Sequence, residues 1–137
     1  MQRLIPLLMT GAMLASAGVA QAASDRSPAA RLERIIAGRV AGQPVDCLNQ
    51  QDIRSSQIID NAAIVYETNG GTLYVNRPTS GAMSLRSGLT LVTDTHSPRL
   101  CSIDIVRLYD SGSRMQSGTV GLGPFVPYPR PARNGGN

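Results

Sequence analysis

The stretch IRSSQIIDNAAIVYETNGGTLYVNRP, residues 53–78, decides how this chain is built. Asp60-Asn61 separates two apolar runs, and Asn69-Gly70-Gly71 separates the second run from a third. An Asn-Gly step tolerates the positive φ angles of a tight hairpin turn, and between apolar runs it is a strong short-range signal for one. The spacing therefore predicts a three-strand meander at about 54–59, 62–68 and 72–77. Ile64 and Tyr66 fall on one face of the central strand, Leu73 and Val75 on one face of the next, and Pro78 stops the third.

Working outward, RPTSGAMSLRSG is a loop by composition, punctuated by Thr79, Ser80, Gly81 and Gly88. LTLVTD from Leu89 is a predicted fourth strand and SIDIVRLYD a fifth, joined by the turn-rich DTHSPR. GTVGLGPFVPY gives a sixth, weaker strand broken by Gly121, Gly123 and Pro124. Before the meander, SDRSPAARLERIIAGRVAGQP predicts a short helix: Ser27 is the N-cap, Pro28 opens the first turn, and Leu32, Ile35 and Ile36 recur at helical spacing before Gly38. The expected fold is mainly β, a small antiparallel sheet or partly closed barrel of about five to six strands, with one N-terminal helix covering an end.

The first residues, MQRLIPLLMTGAMLASAGVAQAAS, run from a cation at Arg3 through an uncharged apolar stretch to Ala20-Gln21-Ala22. That is the order of a secretory signal peptide with small residues at −3 and −1, so residues 1–22 are expected to be removed by cleavage after Ala22. A retained anchor would need about 20 predominantly apolar residues, and this run is shorter and interrupted by Pro6 and Gly11. No cysteine stands at the junction for a lipid anchor. The expected organisation is a signal peptide at 1–22, a helical segment at 23–42, a small β domain at 43–128 and a flexible tail at 129–137. The expected location is periplasmic or secreted, with no membrane span after cleavage.

Cys47, in PVDCLN, and Cys101, in RLCSID, are the only two cysteines. In an exported chain an even pair is expected to be bridged. They lack CxxC spacing, and with one histidine in the sequence a four-ligand zinc site is not expected. A bridge closing a loop of this length stabilises a small fold by about 4 kcal/mol in the chain-entropy model. Cys101 then serves to pin its strand to the segment that begins the domain.

All 13 Lys+Arg residues are arginine and the net charge is +4. The cations are scattered, which disfavours a nucleic-acid interface and leaves weak attraction to anionic envelope polymers, with Arg54, Arg77, Arg86 and Arg107 as the anion-binding candidates.

The blocks CLNQQDIRSSQIIDNAAIVYE, TLYVNRP, LCSIDIVRLYD and the Gly-rich LGPFVPY, in that order across about Gln43–Tyr128, resemble an uncharacterised family of small exported proteobacterial proteins classed as a domain of unknown function. The resemblance implies an export signal and the two cysteine blocks, and no assigned activity. Some relatives carry another cysteine in the loop that here reads PTSGAMSL, so no further bridge is inferred for this chain.

Several side chains bear on chemistry. His96, the only histidine, follows Asp94 by two residues, and a hydrolase reading makes it a general base with Ser97 or Ser102 as nucleophile and Asp94 or Asp104 as partner. Residues two apart in a loop seldom form such a relay, and there is no nucleophile-elbow motif. Asp46, Asp52, Asp60, Asp94, Asp104 and Asp110 mostly fall at turns, where Asp accepts backbone hydrogen bonds. Asp104, within SIDIV, is expected to be buried in an ion pair with Arg54 or Arg107. LGPFVP lacks the Lys-Ser/Thr ending of a phosphate-binding loop. Tyr66, Tyr74, Tyr109 and Phe125 would form a stacking platform with Arg77 and Arg107 in a single-strand binder, but so few aromatics are expected in the core. The Pro-rich 124–131 stretch is either a docking strip or a mobile terminus. No cofactor or metal is implied. The sequence favours a non-enzymatic exported module that binds a periplasmic or envelope partner, with the hydrolase and the anionic-polymer binder as alternatives.

Overall fold

A computed structural model describes residues 26–133; the signal-peptide expectation at 1–22 lies outside them. The elements are α1 (Pro28–Ile36), β1 (Cys47–Asn49), β2 (Ile53–Ile59), β3 (Ala63–Thr68), β4 (Leu73–Asn76), β5 (Thr90–Thr93), β6 (Arg99–Cys101), β7 (Ile105–Asp110), β8 (Met115–Gly121) and β9 (Phe125–Tyr128). They form antiparallel sheets ordered β2-β3-β4-β9, β5-β7-β8 and β1-β6.

The meander is built by its two turns. Asn61 takes a left-handed φ of 55° and the Ala62 N–H returns to the Ile59 carbonyl, turning β2 into β3. At the second turn Gly71 has φ 81° and the Gly71 N–H donates to Thr68, so β3 turns into β4 across Asn69-Gly70-Gly71. Asn and Gly are the residue types that adopt this backbone with least strain.

β3 is buried on both faces. Ile64 and Tyr66 point into one apolar cluster with Leu85, Leu100, Val106, Leu108, Val120 and Phe125; Ala63 and Val65 point into another with Ile59, Leu73 and Val75. The first cluster fills the space between the four-stranded and three-stranded sheets. The second is covered by α1, whose Leu32 is buried while Ile35 and Ile36 pack at its margin. Ser27 caps the helix by accepting the Ala30 N–H at 3.1 Å, with Pro28 in the first turn. The helix thus lies on a sheet face, not over an end, because Ala63-Ile64-Val65-Tyr66 is apolar on both sides and each side needs a cover.

Among the described residues there are nine strands, and no closed barrel, in place of the five to six expected. One apolar run divides and another starts late. The strand in SIDIVRLYD starts late because the Asp104 carboxylate accepts the Cys101 N–H at 2.6 Å and the Asp104 N–H donates back to the Cys101 carbonyl at 3.0 Å. This turn ends β6 and puts Ile103 in solvent, so β7 starts only at Ile105. GTVGLGPFVPY divides at Leu122–Pro124, so that β8 lies in one sheet and β9 in the other. The remaining additions are the three-residue strands β1 and β6, too short to register as apolar periodicity.

Cys47 and Cys101 are directly opposite partners in the β1–β6 ladder and form a disulfide. Leu48 and Leu100, the next pair, are both buried in the inter-sheet cluster. The bridge therefore ties the beginning of the β domain to the core-bearing edge of β6, as the sequence predicts. Upstream of it, Gly42 and Val45 donate backbone hydrogen bonds of 2.8 Å to Pro127 and Phe125, laying this segment along the free side of β9. That side of the four-stranded sheet is covered.

Candidate functional site

The opposite side is open. β2 pairs only with β3, and β5 only with β7, so each presents an unpaired edge. The two edges face each other across a cleft. At one end Ile53 and Ser56 stand against Leu91 and Thr93; at the other Ser56, Gln57 and Ile58 stand against Ser87–Leu91. β2 and β5 therefore run antiparallel across the gap. Ser56 and Leu91 border both halves, which measure about 180 Å³ and about 310 Å³.

Tyr66 lines the smaller half. Only 3% of its surface is exposed, its ring meets Phe125 edge-on at 5.8 Å between centroids, and its hydroxyl is buried with no hydrogen-bond partner. Burial raises the phenol's pKa well above its ordinary value, so the group stays neutral and offers both a donor and an acceptor. A buried hydroxyl is nearly always satisfied in a folded protein, and an orphan of this kind calls for an explanation. Ile53, Leu91 and Leu100 give the cavity apolar walls, and Gln50, Ser56 and Thr93 contribute polar groups.

The cleft walls are braced. Gln50 donates to the Thr95 hydroxyl and to the Ser97 carbonyl, holding the β5–β6 connection against the start of β2. At the far end the Asp60 carboxylate accepts both the N–H and the hydroxyl of Ser87, and Arg31 of α1 donates to the Ser87 Oγ at 2.8 Å. The two Ser87 hydrogen bonds hold the Asp60 carboxyl below its ordinary pKa, with lesser help from Arg31 and Arg86.

The residues singled out from sequence are dispersed. His96 is exposed in the β5–β6 connection, and no hydrogen bond joins it to Asp94, Asp104, Ser97 or Ser102. Asp94 instead pairs with Arg107 at 3.3 Å, and Ser97 donates to the Arg99 carbonyl at 3.0 Å. Asp104 is not in a strand and makes no ion pair with Arg54 or Arg107: its carboxylate is spent on the Cys101 N–H. Arg54 lies 3.8 Å from Glu67. Arg54 stands near the start of β2 and Arg77 just past the end of β4; since β2 and β4 point the same way, these two cations occupy opposite ends of the sheet. Arg86 sits in the Leu85–Leu89 loop near Asp60, and Arg107 projects from the outer face of β7. The four do not make one patch. Of the proposed stacking platform, Tyr66 and Phe125 are core residues, while Tyr109 joins Val92, Arg107 and Gln116 around a separate hollow of about 350 Å³ on the outer sheet face.

Among the described residues no group of three or more His, Cys, Asp and Glu is placed to hold a metal ion, and no helix is long and apolar enough to cross a membrane. Comparison with protein-family models, with curated proteins and with solved structures finds no match. The cleft was not legible in the sequence. Its one trace is the polar run Arg54-Ser55-Ser56-Gln57 in β2, four consecutive exposed residues where a half-buried strand would alternate.

Proposed function

We propose that this chain is an exported, disulfide-pinned binding module of the small proteobacterial family it resembles, and that it takes its ligand in the cleft between β2 and β5. The orphan hydroxyl of Tyr66 carries this reading: a neutral donor and acceptor, buried beside apolar walls where two sheet edges part, is an arrangement that a bound group completes. Export is supported by the leader-like first residues and by the Cys47–Cys101 bridge, which belongs to an oxidising compartment. The hydrolase alternative has less behind it, since Asp94, Asp104 and Ser97 each engage a group other than His96.

Native mass spectrometry of the protein isolated from its own envelope, without reductant and with free thiols alkylated, tests the reading. The expected mass begins at Ala23, is two hydrogens light, and carries a bound species that the Ser56→Trp variant loses. An uncleaved leader or two alkylated thiols would overturn export and the bridge. No bound species, or one held equally by Ser56→Trp, would overturn the cleft.

A further inference from the structure

Resting on the cleft as the binding site, we infer that its occupant is an extended segment of a polypeptide, which adds as a strand between the β2 and β5 edges and directs one uncharged, oxygen-bearing side chain to the Tyr66 hydroxyl. Two observations beyond the orphan hydroxyl choose a peptide over a compact small molecule. The first is that both walls are strand edges. Each edge presents a row of backbone N–H and C=O groups at strand spacing, and only another extended backbone offers a matching row. Paired strands stand about 4.8 Å apart, so an inserted strand needs about 10 Å between its flanking neighbours. β2 and β5 share no ladder, so the two edges are not closed on each other by backbone hydrogen bonds.

The second is that the edges are unprotected. Exposed edges are commonly blunted by proline, lysine, inward charges or bulges. The start of β2 carries Arg54 and an irregularity between Ile53 and Ser55, but beyond it Ser55–Ile59 contains no proline and no charged residue, and neither does Thr90–Thr93. The other outer edge of the four-stranded sheet, at β9, is covered by Gly42–Val45, so the chain spends backbone on protecting one edge and leaves this one open.

The chemistry of the occupant follows from the floor. β5 is four residues long, so the stretch held between both edges is roughly 13 Å. Over Tyr66 a side chain with a terminal amide or hydroxyl supplies the missing partner. A carboxylate or ammonium there would be desolvated between Ile53, Leu91 and Leu100 with no opposite charge lining that half of the cleft.

The test selects displayed random dodecapeptides on the oxidised mature protein, synthesises the enriched sequences, and measures their affinity with single backbone N-methylations placed in turn along each peptide. N-methylation leaves the protein untouched, so loss of binding cannot arise from misfolding. The expected result is an alternating pattern in which every second N-methyl group weakens binding about tenfold, the loss of one backbone hydrogen bond. Amide exchange should slow in β2 and β5, and Tyr66→Phe should weaken the peptides that carry the oxygen-bearing side chain. Uniform tolerance of N-methylation, or protection elsewhere on the protein, would overturn the inference. N-methylacetamide and phenol, titrated by NMR, separate the two levels: shifts at Tyr66 and Ser56 with no peptide enriched would overturn the strand inference and leave a binding cleft, and no response to any of these probes would overturn both.

Discussion

Asn76 holds both backbone polar groups of Gly123. Its side-chain amide donates to the Gly123 carbonyl and its oxygen accepts the Gly123 N–H at 3.0 Å, with Asn76 itself fully buried. Gly123 lies where the chain leaves β8 in one sheet and enters β9 in the other, so these two bonds fix the crossing. They also let an irregular backbone segment pass through the interior without unpaired groups.

Asn76→Ala strands both Gly123 groups and should cost about 2–4 kcal/mol of unfolding free energy, measured by urea titration. Gly123→Ala should destabilise as well, because a Cβ there would stand 2.5 Å from the Arg77 carbonyl. A change of less than about 0.5 kcal/mol in Asn76→Ala would contradict a structural role for the pair.

Tyr66→Phe is expected to behave differently. Removing a buried hydroxyl that has no partner relieves an unmet desolvation cost, so the free protein should be unchanged or more stable by about 1 kcal/mol, while cleft binding weakens. Gained stability with lost binding marks a functional group. A loss of stability would show that the hydroxyl is satisfied within the fold.

Reducing the Cys47–Cys101 bridge, or replacing both cysteines by serine, should lower stability by about 2–4 kcal/mol. The bonded residues are adjacent to buried Leu48 and Leu100, so the first amides to exchange faster should be those of β1 and β6. Unchanged urea midpoints in the oxidised and reduced protein would contradict this.

Asp60 contributes a pH-dependent increment. Its carboxyl pKa in the folded protein is depressed below the ordinary 3.8, chiefly by the Ser87 hydroxyl and N–H. Stability from this source is complete above the unfolded value and is lost as pH falls through the folded one. Asp60→Asn should therefore be less stable than the parent at pH 7, and the difference should close in acid below pH 3.8. A pH-independent difference would assign the effect to packing.

The meander was legible because Asn61 and Gly71 carry their turn geometry in their own chemistry, and the helix because Ser27, Pro28 and Leu32 mark it locally. The bridge was legible from the leader-like first residues and the even number of cysteines. The late start of β7 within SIDIVRLYD was not: it depends on the Asp104 carboxylate folding back to the Cys101 N–H, a choice the apolar run beside it conceals. The division of GTVGLGPFVPY depends on Asn76, more than forty positions away. Tyr66 was legible as a core aromatic, which it is. What periodicity cannot convey is that its hydroxyl ends beside two strand edges without a partner, because that follows from how separate sheets are placed.

The most direct test of the cleft places a photo-crosslinking amino acid at Gln57, on its rim, or at Gln116, on the outer face of the three-stranded sheet, in the protein produced in its own cells. The account predicts an adduct of discrete mass from position 57, lost when Tyr66→Phe is added, and none from position 116. No adduct from 57, or the same adducts from both positions, would contradict it.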